Sequence, residues 1–177
     1  TVYAQFKDAA GNIGNGTISD VLTLDQTLPV SSVTLSGVIG DNGWYKSDVT
    51  AVITATDSAS GLSHIEYRIG DASYSTYATA IPVSQNQTAT ITYRARDNAG
   101  NWEVTHSTIV RSDSSPPPQI TPSDAGLYSL PEITWTWIPP SDYSGMAGYY
   151  VSIGSYADGN DIVADAWSST TYYLYSS

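Results

Sequence analysis

The chain has 177 residues, six Lys and Arg against seventeen Asp and Glu, and no cysteine. The resulting net charge of −11 argues against nucleic-acid binding, because phosphate contacts need clustered basic side chains. The lack of cysteine excludes disulfides and thiolate metal sites. No apolar run approaches the roughly 18 residues of a membrane-spanning helix, so we expect no membrane insertion.

Two similar stretches, one at the start of the chain and one in its middle, predict a repeated unit. Each alternates apolar and polar residues, as a strand with one buried face does, and each ends in the turn-forming run Asp-x-Ala-Gly-Asn. The stretches are Val2–Asn12 and Ile91–Asn101. Their aspartates, Asp8 and Asp97, are 89 residues apart, which is about the length of one sandwich domain.

The first 27 residues predict a two-stranded hairpin rather than a domain. The two strands are Thr1–Asp8 and Thr17–Leu24. The inner face of the first strand would carry Val2, Ala4 and Phe6. A lone hairpin is marginally stable in water because it has no second layer to pack against. We therefore expect residues 1–27 to complete a neighbouring or preceding sandwich.

Residues 28–113 contain enough short strands, separated by turns, for an intact β-sandwich. The predicted strands are Val33–Val38, Val49–Ala55, Leu62–Ile69, Tyr74–Val83, Ile91–Arg96 and Glu103–Arg111. Two sheets packed face to face would bury Trp44, Ile53, Ile65, Ile91, Tyr93 and Trp102. Glu66 and Arg68 are expected to face Arg94 and Arg96 across neighbouring strands.

A second repeated pattern follows the proline-rich segment Ser112–Pro122, which predicts a semi-rigid linker. The pattern from Gly61 to Gly70 is echoed 84 residues later, from Gly145 to Gly154. The strand before it would carry Ile133, Trp135 and Trp137 on its inner face. The chain then ends with the strand Thr170–Tyr175, so residues 114–177 are interpreted as a sandwich without its last two strands.

The two incomplete parts are complementary in the sequence. If residue 1 followed residue 177, the next Asp8 would come 88 residues after Asp97. Either a long tandem array has been cut here, or each chain lends residues 1–27 to a neighbour as a donor hairpin. Both alternatives give a head-to-tail contact, which propagates as a fibre.

The motifs of the repeats resemble those of immunoglobulin-like and fibronectin type III-like repeats of large bacterial and archaeal surface proteins. The motifs are Gly43-Trp44-Tyr45, Asp57-x-x-Ser60-Gly61-Leu62, Tyr67-Arg68-Ile69, Asp97-Asn98-Ala99-Gly100-Asn101 and Trp135-Thr136-Trp137. The resemblance covers nearly the whole chain. It implies an all-β fold of tandem sandwich domains, one intact and one split between the chain ends, at an extracellular or cell-surface location.

Calcium is the one cofactor that the loops suggest, and the weak candidates for its ligands are Asp57, Asp97 and Asp142. Related extracellular repeats bind calcium near domain junctions, but the ion needs six to eight converging oxygens. One carboxylate per loop fits an aspartate that caps its own turn better. Asp158–Asp161 resembles a fragment of a calcium loop without its spaced carboxylates.

Other functional candidates are few. Asn15 and Asn86 match the N-glycosylation sequon, so attached glycans are conceivable. His64 and His106 are interpreted as ordinary strand residues, and Glu66, Glu103 and Glu132 as outward-facing ones. None of these residues forms an arrangement that spacing supports as catalytic, so the sequence does not predict an enzyme.

Two functions remain in view. The first is a structural repeat unit of an extracellular fibre, stalk or surface coat, whose partners are copies of itself joined end to end. The second is an adhesive or carbohydrate-binding accessory module of a larger secreted protein. That module would cluster outward aromatic rings, and the pairs Tyr149-Tyr150 and Tyr172-Tyr173 each place one ring outward.

Overall fold

The computed structural model describes residues 2–16, 18–21, 23–120, 132–154 and 162–176. These residues form thirteen strands and no helix, so no helix that could cross a membrane occurs among them. In chain order the strands are Val2–Ala4 (β1), Ile18–Asp20 (β2), Val30–Ser36 (β3), Val49–Thr56 (β4), Leu62–Ile69 (β5), Ser75–Thr76 (β6), Ile81–Val83 (β7), Gln87–Asp97 (β8), His106–Ser112 (β9), Glu132–Thr136 (β10), Tyr149–Ile153 (β11), Val163–Ser168 (β12) and Tyr172–Ser176 (β13).

The described strands form five sheets. The larger two have the orders β6-β5-β8-β9 and β3-β4-β7, and the other three are the pairs β1-β2, β10-β13 and β11-β12. Antiparallel registers join β1 to β2, β10 to β13, β11 to β12, and β5 to both β6 and β8. The prediction of an all-β fold is confirmed, and the arrangement of sheets is consistent with a β-sandwich.

Alternation of apolar and polar residues decides which face of each central strand is buried. In β4, Val49 and Ala51 are fully buried, whereas the intervening Thr50 is exposed. The same period in β8 buries Ile91, Tyr93 and Ala95. Because side chains on successive strand residues point to opposite faces, these positions could be predicted from the sequence, and the structure confirms them.

The pairing of β5 with β8 confirms that Glu66 faces Arg94 and corrects the predicted position of Arg68 opposite Arg96. Glu66 lies opposite Arg94, and the guanidinium donates to its carboxylate at 2.8 Å. Arg68 instead lies opposite Thr92, and it stacks on the ring of Tyr74 with 5.3 Å between the guanidinium carbon and the ring centroid.

The core prediction was wrong for Trp44 and Trp102, which are only half-buried. Trp102 lies on the arginine face of the sheet, with the guanidinium carbons of Arg94 and Arg96 4.3 and 5.5 Å from its ring centroid. A guanidinium stacked on indole is attracted by the ring quadrupole, which stabilises Trp102 outside the core. The edge of Trp44 meets the ring of Tyr143, with centroids 5.9 Å apart.

Glu103 was predicted to face solvent and instead is buried. Its carboxylate accepts hydrogen bonds from the N–H of Ala95 at 2.7 Å, the N–H of Ser31 at 2.9 Å and the Ser31 hydroxyl. These donors explain how a charged group remains in the interior. Burial, together with the negative charge of Glu103, raises the pKa of the Tyr93 phenol.

The predicted linker begins two residues too early. Ser112 is the last residue of β9, is fully buried, and donates its hydroxyl hydrogen to the Ser47 carbonyl at 2.6 Å. Asp113 continues this pairing, because its N–H donates to the Tyr45 carbonyl at 2.8 Å. Residues 121 and 122 of the predicted linker lie outside the described ranges.

The chain forms two compact units, each built from several segments. The first comprises Thr1–Leu35, Ala51–Ile81 and Ala89–Ile109, and the second comprises Ser36–Thr50, Pro82–Thr88 and Val110–Ser177. The first contains the β1-β2 hairpin and the buried Ile53, Ile65 and Ile91. The second contains the β10-β13 and β11-β12 pairs and the buried Val49, Val83 and Val110.

Truncation of a core residue of β8 tests which face of this strand is buried. Ile91 is fully buried, so Ile91→Ala leaves a cavity and should lower the free energy of unfolding by about 2–5 kcal/mol. Thr90→Ala, on the exposed face, should change it by about 0.5 kcal/mol or less. Urea denaturation followed by tryptophan fluorescence measures both. Equal effects of the two substitutions would contradict the assigned face.

Candidate functional site

Two junctions between consecutive parts of the chain have the same hydrogen-bonding pattern. The Asp25 junction consists of Asp25–Thr27, the loop Asp57–Gly61 and the turn Asp97–Asn101. In it, the N–H of Ser60 donates to both Asp25 Oδ2 and Asp57 Oδ1, at 2.9 and 3.0 Å. Asp25 Oδ1 also accepts the Thr27 N–H at 2.9 Å. Hydrogen bonds from Ser60 and then Thr27 lower the pKa of Asp25 to about 2.

The turn Asp97–Asn101 is the third part of the Asp25 junction. Asp97 is buried, and its Oδ1 accepts the N–H groups of Gly100 and Asn101, each at 2.7 Å. The amide nitrogen of Asn101 donates to Asp97 Oδ2 at 2.7 Å and to the carbonyls of Asp25 and Thr27 at 3.2 Å. Asn101 therefore ties the turn after β8 to the segment before β3.

Carboxylate oxygens of Asp25, Asp57 and Asp97 lie within 4.8 Å of one another. The structure thus brings together two of the calcium candidates and adds Asp25, which the sequence analysis missed. Oxygens of all three already accept N–H groups of the loops, and those of Asp57 accept from Ala59, Ser60 and Gly61. Hydrogen bonds of this kind are those of carboxylates that cap turns, the role that one aspartate per loop favoured in the sequence. One oxygen of each of the three carboxylates converges here, whereas calcium takes six to eight oxygens.

The Asp113 junction consists of Asp113–Ser115 and the loop Asp142–Gly145. Here the N–H of Ser144 donates to both Asp113 Oδ2 and Asp142 Oδ1, at 2.9 and 3.1 Å. Asp113 Oδ1 accepts the Ser115 N–H at 3.0 Å. The pKa of Asp113 is lowered, because hydrogen bonds from Ser115 and Ser144 outweigh the opposing effect of burial. Asp142, the third calcium candidate, therefore lies at this second junction, apart from Asp57 and Asp97.

The hairpin turn Asp8–Asn12 has the geometry of the turn Asp97–Asn101. Asp8 Oδ1 accepts the Asn12 N–H at 2.8 Å and Oδ2 accepts the Asn12 amide at 2.9 Å, which lowers the pKa of Asp8. Gly11 and Gly100 occupy the same left-handed conformation, with φ of 95° and 100°. The backbone of Lys7 forms an isolated antiparallel β-bridge with Ile13, as that of Arg96 does with Trp102. The sequence repeat is therefore a structural repeat of the turn.

Apolar side chains are exposed on the β1-β2 hairpin and on the strands β11, β12 and β13. On the hairpin, Val2, Tyr3 and Phe6 are 59, 69 and 66% exposed. On β11, β12 and β13 the exposed residues are Tyr150, Trp167, Tyr172 and Leu174. Among the described residues β11 pairs with β12 alone, whereas β5 pairs with strands on both sides. We call the other side of β11 its open edge.

The prediction that each tyrosine pair places one ring outward is confirmed. Tyr150 and Tyr172 are exposed, while Tyr149 and Tyr173 are half-buried. Tyr150 packs against Trp167 with ring centroids 5.0 Å apart, so one exposed aromatic pair is present.

The two sequons differ in their surroundings. Asn15 is exposed, and Thr17 of its sequon lies outside the described residues. Asn86 has a positive φ of 60°, donates its amide to the Ser115 hydroxyl at 2.8 Å and accepts the Ser114 N–H at 3.0 Å. Its side chain therefore holds the segment that follows β9.

Each of the two histidines lies beside a glutamate and packs against an aromatic ring. His64 and Trp102 pack edge to face with ring centroids 5.4 Å apart. The His64 imidazole also lies 3.8 Å from the Glu66 carboxylate and forms a 3.1 Å hydrogen bond with the Ser63 hydroxyl. His106 stacks on Tyr93 at 5.6 Å and lies 3.4 Å from Glu103. The side chain of Glu132 and the motif Asp158–Asp161 lie outside the described residues.

Comparison with protein-family models gives no match to this chain, and comparison with curated proteins gives no relative of significant similarity. The functional argument therefore depends on the geometry of the chain itself.

Asp25→Asn tests the Asp25 junction through its pH dependence. The pKa of Asp25 is about 2 in the folded chain, against an ordinary value of 3.8. The ionised carboxylate therefore stabilises the folded state above about pH 4, and this contribution is lost as the pH falls from about 4 to about 2. We expect the wild type to melt above the variant at about pH 5, and the difference in Tm to shrink towards pH 2. A constant difference in circular-dichroism melts would contradict this.

Calcium titration tests the assignment of the aspartates to turn capping. We expect the Tm in excess calcium to lie within about 1 °C of the Tm in excess chelator. A site occupied at 100 times its Kd would add about 2.7 kcal/mol and raise the Tm by several degrees. Such a rise, abolished in Asp57→Asn, would show that the cluster binds the ion.

Proposed function

We propose that the chain is a structural repeat unit of an extracellular fibre, stalk or surface coat, and that its units join end to end. The observation that carries this proposal is the β1-β2 hairpin, which exposes apolar side chains and forms a sheet of only two strands. Isolated two-stranded hairpins are marginally stable in water, and exposed apolar patches mark interaction sites. The hairpin therefore needs a partner surface.

The region around β11 is the surface that suits the hairpin. Val151 and Ile153 are half-buried on one face of β11, and Tyr149 packs against Trp137 on that face, with ring centroids 5.0 Å apart. Among the described residues, no strand pairs with the open edge of β11, and proteins normally cover such an edge. Addition of a hairpin to this edge is strand augmentation, and the contact is heterologous, so it propagates.

The recurrence of the junction supports tandem sandwich domains of the immunoglobulin-like or fibronectin type III-like kind. The carboxylates of Asp25 and Asp113 accept from Ser60 and Ser144 in the same way. We propose domain boundaries near residues 27 and 113 on this basis. An extracellular or cell-surface location agrees with the acidic, cysteine-free composition. The units join either covalently, in one long array, or as donor hairpins between chains.

A substitution on the inner face of the hairpin tests end-to-end assembly. Phe6→Ser removes an exposed ring that assembly would bury, worth about 1.5–3 kcal/mol, so we expect assembly to weaken about 10- to 100-fold. Sedimentation velocity over a concentration series measures the association, and electron microscopy shows whether the products are filaments.

Tyr3→Ser is the matched control. Tyr3 is as exposed as Phe6. It lies an odd number of residues away, so its side chain points to the opposite face, and its substitution should weaken assembly less. Monomeric wild-type protein at all concentrations would overturn the proposed function.

The exposed pair of Tyr150 and Trp167 favours carbohydrate binding or adhesion as a second function, since aromatic faces stack on sugar rings. Retention of a monomeric chain on immobilised polysaccharide, lost in Trp167→Ala, would favour this function over the structural one.

A further inference from the structure

We infer that β1 of one copy adds to the open edge of β11 of a neighbouring copy in one defined register, and that its turn completes the Asp113 junction. This inference rests on the proposed function and specifies its interface. Tyr3 and Gln5 would lie opposite Ser152 and Tyr150, and Ala4 would lie opposite Val151.

The pairing of β5 with β8 is the template within the same chain. In it, Ile65, Tyr67 and Ile69 lie opposite Ala95, Tyr93 and Ile91. The N–H of Gly70 donates to the Thr90 carbonyl at 2.8 Å, whereas the Ile65 carbonyl accepts from Tyr77 on the other side of β5. Even-numbered residues of β5 therefore bond to β8, and odd-numbered residues bond to the β6 side.

The backbone of β11 has its free groups in the equivalent places. The repeat of Gly61–Gly70 at Gly145–Gly154 makes Tyr67 equivalent to Val151. The Ile153 carbonyl accepts the Ile162 N–H at 3.1 Å, on the β12 side. Tyr150 and Ser152 therefore direct their backbone groups towards the open edge, as Glu66 and Arg68 direct theirs towards β8.

The donor strand has matching free groups. The equivalence of Asp8 with Asp97 makes Ala4 equivalent to Tyr93. The carbonyl of Phe6 accepts the Gly14 N–H, and the N–H of Asp8 donates to Asn12, both at 2.9 Å and both within the hairpin. The backbone groups of Phe6 and Asp8 therefore point into the hairpin. Continued back through residues 2–5, this alternation directs the backbone groups of Tyr3 and Gln5 to the free side.

These two sets of free groups fix both the register and the face. Transfer of the β5–β8 register places Val2, Ala4 and Phe6 opposite Ile153, Val151 and Tyr149. Directly opposed residues share a face of the sheet, so the exposed Val2 and Phe6 meet the half-buried face of β11. A shift by one residue would turn them to the other face and misalign the hydrogen bonds.

The same register carries the turn Asp8–Asn12 to the Asp113 junction. In the Asp25 junction, the N–H of Asn98 donates to the Gly61 carbonyl at 2.9 Å, and Asn101 bonds the carbonyls of Asp25 and Thr27. By the same equivalences, the N–H of Ala9 would donate to the Gly145 carbonyl of the neighbouring copy. Asn12 would bond the carbonyls of Asp113 and Ser115 there. Asn12 donates to Asp8 alone among the described residues, so its second amide hydrogen is available. The Asp113 junction would thus gain its third part from the neighbouring copy.

Cysteine pairs test the register, because the chain contains no cysteine of its own. Ala4 and Val151 would form a non-hydrogen-bonded pair, with Cα atoms about 4.5 Å apart, close enough for a disulfide. Two single variants, Ala4→Cys and Val151→Cys, are mixed and oxidised with copper phenanthroline. Only contacts between copies can then link them. We expect the heterodimer to form at least ten times faster than with either control pair.

The controls shift one partner by one or two residues, using Ser152→Cys or Ile153→Cys with Ala4→Cys. Faster linkage of a control pair, or equal rates, would overturn the register. If sedimentation shows assembly but the expected pair does not link, the register fails and the proposed function stands. If no assembly occurs, both fail.

Ala9→Asn is a gain-of-contact variant that does not depend on disrupting the fold. Asn98, its equivalent, donates its side-chain amide to the Ser60 carbonyl at 2.9 Å. The new amide would reach the Ser144 carbonyl of the neighbour and strengthen assembly about five-fold, the effect of one hydrogen bond of about 1 kcal/mol. Ala10→Asn is the control. Equal association of the two variants would contradict the placement of the turn.

Discussion

One backbone N–H at each junction, that of Ser60 or Ser144, donates to two carboxylates from different parts of the chain. One carboxylate caps the loop that contains the serine, and the other belongs to the segment that precedes β3 or β10. Because Asp25 and Asp113 also cap their own turns, each junction is held by short side chains with few rotatable bonds. Such a junction orders the connecting segment more strongly than a proline-rich sequence alone does.

Alternation along a strand and the turns that bound it were enough to predict several parts of the fold. The limits of β5, the buried face of β4 and the pair Glu66–Arg94 follow from alternation and from the turns that bound each strand. The same reasoning could not place Glu103, because its burial depends on donors from Ser31, 72 residues away in sequence. The position of Trp102 likewise depends on arginines that lie beneath its ring.

Asp25 was missed for the same reason, since its partner Ser60 is 35 residues away in sequence. The repeat does contain a usable pattern, because Asp25-x-Thr27 recurs as Asp113-x-Ser115 at the end of the next predicted domain. Asp57, Asp97 and Asp142 stood out because each begins a recognisable turn, whereas Asp25 and Asp113 lie in segments between predicted strands.

The stacking of arginine on aromatic rings has a consequence for how fibres would behave beside one another. The chain has six basic residues, and three of them, Arg68, Arg94 and Arg96, lie against Tyr74 or Trp102. These contacts hold half of the basic residues on one sheet face. They leave Lys7, Lys46 and Arg111 as the other basic residues of a chain with seventeen acidic ones. Parallel fibres would then repel one another at low ionic strength, since such fields extend about 10 Å at 0.1 M salt. Growth would be directed along the axis, and the spacing between neighbouring fibres would be set by the ions of the surrounding medium.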